Sequence, residues 1–81
     1  MYIVYVIYSE FVNSYYVGHT NNLERRIEEH NHKQNRYTSN KGPWELKYKE
    51  EVGTRSEAMK REKFFKTGKG REYWKNKMVV C

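Results

Sequence analysis

Residues 2–20, YIVYVIYSEFVNSYYVGHT, decide how this chain folds. Tyr2 to Tyr8 are all β-branched or aromatic and prefer the pleated, half-buried surface of a strand. A second such run, Tyr15-Tyr16-Val17, follows a break at Ser9 to Asn13, and two strands joined this way form a hairpin. Side chains alternate along a strand, so Tyr2, Val4, Val6 and Tyr8 share one face and Ile3, Tyr5 and Ile7 the other, while Tyr16 points away from Tyr15. A register that puts Tyr5 and Tyr16 on one face makes them cross-strand neighbours with both hydroxyls at the same edge. Gly18 then turns the chain toward a helix.

That helix opens at Asn21-Asn22-Leu23-Glu24, which reads as a capping box with Asn21 as N-cap, Thr20 being the alternative cap. It runs to about His30. Leu23 and Ile27 are four residues apart, and Arg26 and His30 fall on the same stripe, whereas Glu24, Arg25, Glu28 and Glu29 face water. A guanidinium and an imidazole on an inward stripe cost free energy unless something pairs with them. Either they serve chemistry, or Arg26 snorkels past the sheet edge and His30 caps the helix C-terminus.

Asn31 to Gly42, NHKQNRYTSNKG, is a polar loop, and connections of this length are more often functional than idle. Its Lys33, Arg36, Tyr37 and Lys41 suit phosphates and bases. Pro43 and Trp44 introduce a third strand, Glu45 to Val52, in which Leu46 and Tyr48 alternate with Lys47 and Lys49. Thr54 and Glu57 form a second capping box, and a helix follows from Arg55 to about Thr67. Ala58, Glu62 and Phe65 share one stripe of it, so Glu62 is a carboxylate in the middle of the core-facing side. A local ion pair with Arg61 or Lys66 is the purely structural account of that charge. Gly68 and Gly70 close the helix, and a short final one from Arg71 to about Met78 carries Tyr73 and Trp74 beside basic residues. The order β-β-α-β-α-α describes an α+β fold, a small three-stranded antiparallel sheet flanked by helices.

At 81 residues the chain makes one domain, 1–81, of a size that buries about 60% of its unfolded surface. Its net charge of +6 is uneven. Residues 1–30 hold two basic and four acidic groups, 31–49 five and one, and 50–81 nine and five. The rear surplus, interleaved with Tyr37, Trp44, Tyr48, Tyr73 and Trp74, suits a polyanion such as nucleic acid, an ordinary solubilising surface being the alternative. The single cysteine, Cys81, cannot close an internal disulfide, which suits the cytoplasm. The apolar start lacks a basic leader and breaks at Ser9-Glu10, so it does not read as a signal peptide, and no run reaches membrane-spanning length. The chain contains no aspartate, so a metal would rest on glutamate, histidine, backbone or water, which favours a hard cation such as magnesium.

Tyr5, Tyr16, Arg26, His30 and Glu62 are the residues whose placement packing alone does not explain, and all five can converge at one sheet edge. Together they offer what phosphodiester hydrolysis needs: a carboxylate for a divalent ion, a cation for the phosphate and a group that takes a proton from water. The series Ile3-Val4-Tyr5, Tyr16-Val17-Gly18, His19-Thr20-Asn21-Asn22-Leu23-Glu24-Arg25-Arg26 and Glu28-Glu29-His30-Asn31 resembles the GIY-YIG nuclease superfamily. The likeness is to its small single-domain bacterial members and to the N-terminal domain of excision-repair nucleases. Gly42-Pro43-Trp44-Glu45-Leu46, Glu57 to Glu62 and Phe65 to Arg71 extend it across nearly the whole chain.

The resemblance implies a metal-dependent DNA endonuclease. One of Tyr5 and Tyr16 would act as general base, Arg26 would bind the scissile phosphate, and His30 would stand beside the nucleophile. Glu62 would hold Mg2+ or Mn2+, and Gly18 would permit a close turn. Lys66, Lys69 and Arg71 join Lys33, Arg36, Tyr37 and Lys41 as expected contacts to duplex or branched DNA. A homodimer or a partner protein would supply specificity, and a DNA-binding module without turnover is the rival expectation. Ile3 stands where the motif's name has glycine, and the asparagine that several members carry after the metal glutamate has only Asn76 as a candidate.

Overall fold

The computed structural model describes residues 1–31 and 43–79. Its elements are β1 (Tyr2–Ser9), β2 (Ser14–Thr20), α1 (Leu23–Asn31), β3 (Glu45–Val52), α2 (Arg55–Phe65) and α3 (Gly68–Val79). The three strands form one antiparallel sheet in the order β2-β1-β3, so the most apolar strand lies in the middle. The expected α+β architecture and element order are both present. Among the described residues no helix is long and apolar enough to cross a membrane.

Alternation in β1 builds two cores, one on each face. Val4 and Val6 pack with Val17, Ala58, Phe65 and Trp74 under α2 and α3. Tyr5 and Ile7 pack with Trp44 and, less deeply, with Ile3, Tyr16, Leu23, Ile27 and Leu46 under α1. Each fully buried aliphatic or aromatic side chain contributes about 1.5–3 kcal/mol. A β-bulge explains how β3 serves both cores. Val6 pairs with Tyr48 but Ile7 with Leu46, so Lys47 is the extra residue. The bulge sends Leu46 to the α1 face and Tyr48 to the other, although two residues apart they would otherwise share one.

The turns and caps revise several sequence expectations. Asn13 ends the hairpin turn in the left-handed region, φ 51°, which asparagine tolerates, and Tyr8 Oη donates to its side-chain oxygen. The cap of α1 is Asn22, in place of Asn21 or Thr20. Its Oδ1 accepts from the Arg25 N–H at 3.2 Å, while Thr20 Oγ1 accepts from the Asn22 N–H one step earlier. Glu24 therefore sits at the second helical position and closes no capping box. Thr54 caps α2 as expected, accepting from Glu57 N–H and donating its own hydroxyl to the Glu57 carboxylate.

That helix stops at Phe65 with Lys66 as its C-cap. Gly68 and Gly70 lie in the first turn of α3, whose cap is Thr67. A Cβ at Gly70 would stand 1.9 Å from the Phe64 carbonyl oxygen, so the glycine is there for close helix approach. Asn31, expected in the loop, ends α1 and clamps the start of β3. Its Oδ1 accepts from Trp44 N–H at 2.6 Å, and its Nδ2 donates to the Trp44 carbonyl at 3.3 Å.

The aromatic residues of the basic rear are mostly core. Trp44 and Trp74 are 4% and 1% exposed, and Tyr48 and Tyr73 are half-buried. The Trp74 indole donates to the Phe65 carbonyl, and Tyr48 and Tyr73 pack against Phe65. These four rings hold helices on the sheet and are not a surface for stacked bases. Lys33, Arg36, Tyr37, Lys41 and Cys81 lie outside the described residues.

Candidate active site

Tyr5 and Tyr16 share the α1 face but stand diagonally, because Tyr5 pairs with Gly18 and Tyr16 with Ile7. Gly18 is a strand residue, and no described glycine has a positive φ, so its expected role in a turn is not the one it fills. A Cβ there would lie 2.6 Å from Tyr5 Oη and 3.2 Å from the Tyr16 ring. Glycine leaves the space that the phenol of the facing strand occupies.

The Tyr5 hydroxyl is 1% exposed on a residue basis and hydrogen-bonded at both ends. Arg26 Nε donates to Tyr5 Oη at 3.4 Å, and Tyr5 Oη lies 2.9 Å from His30 Nε2. Arginine can only donate, so the phenol's own hydrogen is free for the imidazole nitrogen. Burial, tempered by the Arg26 hydrogen bond, pushes the Tyr5 pKa up to about 12. Burial first, and the positive charge of Arg26 second, lower His30 to about 4. Both groups are therefore neutral at pH 7, and His30 is an acceptor. His30 lies within the fold and does not cap α1, while Tyr16 stands edge-on to its ring at 4.9 Å.

Arg26 is not a surface snorkel. Its Nη1 donates to Glu29 Oε1 at 3.0 Å, and Arg25 Nε donates to Glu29 Oε2 at 3.2 Å, so Glu29 tethers two arginines where the sequence suggested a plain solvated carboxylate. These bonds, the one from Arg26 first, hold the Glu29 carboxyl below its ordinary range.

Glu62 lies across the sheet from this group. It extends from α2 toward the edge strand β2, where His19 Nδ1 meets its Oε1 at 2.6 Å and Lys66 Nζ donates to Oε2 at 2.8 Å. Burial works against the charge, but the Lys66 and His19 contacts outweigh it and hold the carboxyl below its usual range. Its charge nonetheless reaches Tyr5 and adds to the rise there. The five residues thus gather about the edge strand β2, from both of its faces. Lys66 provides the local ion pair, whereas Arg61 binds Glu50 of β3 with two hydrogen bonds, 2.7 and 3.3 Å.

His19 is a site residue the sequence reading did not single out. The signal lay in strand alternation, since a residue next to Gly18 must point to the face where α2 brings Glu62. Among the described residues no three histidines, cysteines or acidic groups gather as a ready metal nest. Glu62 still fits a hard divalent cation of the kind that takes one carboxylate and fills its other positions with water and phosphate oxygens. Its Lys66 partner is 56% exposed on a flexible stem, so Oε2 can be released to an incoming ligand. Lys69 and Arg71 are exposed on α3, and Arg71 shares a cleft of about 260 Å³ with Lys66, Tyr15 and Tyr16. Asn76 is exposed near the end of α3.

Residues 1–77 match the family model described as the GIY-YIG catalytic domain. The chain is 44% identical over 55 residues to the UPF0213 protein YazA of Bacillus subtilis, a match covering 67% of this chain and 56% of that protein. A UPF0213 protein of Staphylococcus haemolyticus is 46% identical over 56 residues, 68% of each chain. One from Halobacterium salinarum is 40% identical over 50 residues, covering 60% of this chain and 65% of the relative. The match thus spans little more than half of the Bacillus subtilis protein. No solved structure matches the chain.

Proposed function

Because the chain belongs to the GIY-YIG catalytic-domain family, we propose that it is a metal-dependent endonuclease that hydrolyses DNA phosphodiester bonds. The observation that carries this reading is the line from Arg26 through Tyr5 to His30. A buried neutral phenol lies between a permanent cation and a neutral acceptor. The same bonds that satisfy these buried groups set a cation, a hydroxyl and a proton acceptor in one line.

The scissile phosphate lies against the N–H groups that Arg26 has to spare. A guanidinium has five, of which Tyr5 and Glu29 each take one. The cation stabilises charge developing on the phosphate oxygens. Tyr5 Oη takes a proton from the attacking water as its own hydroxyl proton passes to His30 Nε2. The water oxygen bonds to phosphorus as the bond to the leaving oxygen breaks. No free phenolate forms on this route, and with a pKa near 12 only about one phenol in 10⁵ would be ionised at pH 7. Tyr16 walls the imidazole in place. Glu62 is the residue that would hold a magnesium or manganese ion, whose chemistry there is to neutralise charge on the phosphate and leaving oxygens. Family members generally work with divalent metal ions.

A DNA-binding module without turnover is the second reading, and it is favoured by the engagement of both Glu62 oxygens by His19 and Lys66. Glu62→Gln separates the two. As an enzyme, the protein nicks plasmid DNA in magnesium or manganese, and the variant loses at least about 100-fold of that rate while binding DNA nearly as before. Equal nicking by the variant would sink the one-carboxylate model. Absence of cutting by the wild type across single-stranded, duplex, flapped, branched and RNA substrates would leave the binding module.

A further inference from the structure

We propose that the open cleft between the start of α1 and the start of α2 is a second phosphate subsite, one that grips the backbone phosphate next to the scissile one. The inference rests on the nucleic-acid reading above and extends it to a second point of contact. The cleft holds about 310 Å³, and its walls include Arg25, Arg26, Arg55, Glu29, Asn21 and Asn22. Three guanidinium groups face one carboxylate there, an excess of two positive charges inside a concave wall that focuses their field.

The arrangement is partly built. Glu29 pairs with both Arg25 and Arg26, at 3.2 and 3.0 Å, which brings the two heads side by side, Arg26 half-buried and Arg25 exposed. Arg55 comes from the first turn of α2, is exposed, and makes no side-chain hydrogen bond or ion pair with another described residue. Its planar fork of donors suits the paired oxygens of a phosphate. The amides of Asn21 and Asn22 add neutral donors to the same rim.

A shared arginine relates this cleft to the scissile phosphate. Arg26 belongs to both sites: its Nε is on Tyr5 Oη, while the same side chain lines the cleft. An anion seated against Arg25 and Arg55 therefore shares the Arg26 side chain with one held for attack at Tyr5, as neighbouring phosphates of one strand can. Charge along the sequence points elsewhere, since residues 1–30 carry more acidic than basic groups. Only the fold brings Arg55 from the rear of the chain to the arginines of α1.

Two measurements on the full chain test this. The first titrates inorganic pyrophosphate and follows the backbone amide resonances of Asn21, Asn22 and Arg55. Saturable shifts are expected in the wild type and at least about fivefold weaker binding in Arg55→Ala. The second measures DNA binding in chelator against salt concentration. Arg55→Ala should lower the slope of log affinity on log salt by about 0.9, whereas Lys63→Ala, an exposed cation on α2 outside the cleft, should not. Arg55→Lys keeps the charge and should restore the slope, which separates loss of contact from damage to α2.

If Arg55→Ala and Lys63→Ala change the slope equally, or if pyrophosphate shifts do not depend on Arg55, the subsite is wrong even while DNA is cut. If pyrophosphate and DNA bind through Arg55 but no substrate is cut, the catalytic reading fails and the subsite stands. Failure of the wild type to bind either probe overturns both.

Discussion

Two sets of arginine, tyrosine and glutamate stand on opposite faces of the sheet, and they differ in what lies beside the arginine. On the far face Arg61 spends two donors on Glu50 in a forked pair, Tyr48 donates to the same carboxylate at 2.6 Å, and the guanidinium lies 4.9 to 5.2 Å from the ring centres of Phe64, Phe65 and Tyr73. That cation is held by a carboxylate and flanked by rings. On the near face Arg26 divides its donors between a phenol and a carboxylate, and the rest of the head faces a cleft. Residue types are alike in the two sets. Each guanidinium spends two of its five N–H donors, so what marks the near set as a place where a ligand can bind is the open cleft beside Arg26, where Arg61 has rings.

Exchanging the two arginines for alanine should break this comparison if it is wrong. Arg26→Ala is expected to lower kcat/KM for DNA by about 10³-fold, roughly 4 kcal/mol of transition-state stabilisation, while moving the urea midpoint little. Arg61→Ala should do the reverse, costing about 2–3 kcal/mol of stability by leaving the half-buried Glu50 charge with the Tyr48 hydroxyl but no counter-ion, and changing cleavage less than about threefold. Equal losses of activity in both variants would erase the distinction between the faces.

The second expectation concerns pH. His30 has its folded pKa lowered from 6.5 to about 4, so its contribution is fully present above 6.5 and drains as pH falls toward 4. Tyr5 is raised from 10.0 to about 12, so its contribution is present below 10 and lost as pH climbs to 12. These two groups predict a plateau of stability between about 6.5 and 10, with an acid-side loss on the order of 3 kcal/mol from His30. His30→Gln should flatten the acid limb in urea titrations at stepped pH. An unchanged limb would show that other groups govern it.

The smallest effect sharpens the comparison from the backbone side. Gly18→Ala should cost about 1–3 kcal/mol, because the new methyl meets the Tyr5 hydroxyl at 2.6 Å and the ring must shift. Since the shift moves Oη relative to Arg26 and His30, cleavage should fall along with stability, as it would not in Arg61→Ala. A Gly18→Ala protein that cuts normally would remove Tyr5 placement from the account.

How much of this was open to inspection in the residues follows from the range of the forces involved. The hairpin, α1, β3 and α2 follow from alternation, helical stripes and caps, which are local. Tyr5, Arg26, His30 and Glu62 stood out because each puts a polar group where burial is costly. What escaped was set partly by a choice among adjacent capping residues and partly by contacts between distant segments. The choice of Asn22 over Asn21 depends on a hydroxyl from Thr20, and the burial of Trp44 and Trp74 on helices that arrive later in the chain. Gly68 and Gly70 look like a helix stop in one dimension, but Thr67 caps a new helix there. The pairing of Arg61 with Glu50, eleven residues away, and of His19 with Glu62, forty-three away, has no local trace.

Strand β2 directs Tyr16 and Gly18 to one face and Val17 and His19 to the other. A slip of one residue in its pairing would exchange the two sets, pushing His19 into the space cleared for Tyr5 and withdrawing Val17 from the core. Added length at the turn before Ser14 leaves this phase intact, whereas a single inserted residue between Ser14 and Thr20 reverses it. Insertions in descendants of this chain should therefore collect at the hairpin tip, and selection for folding alone would keep the two faces of β2 in step.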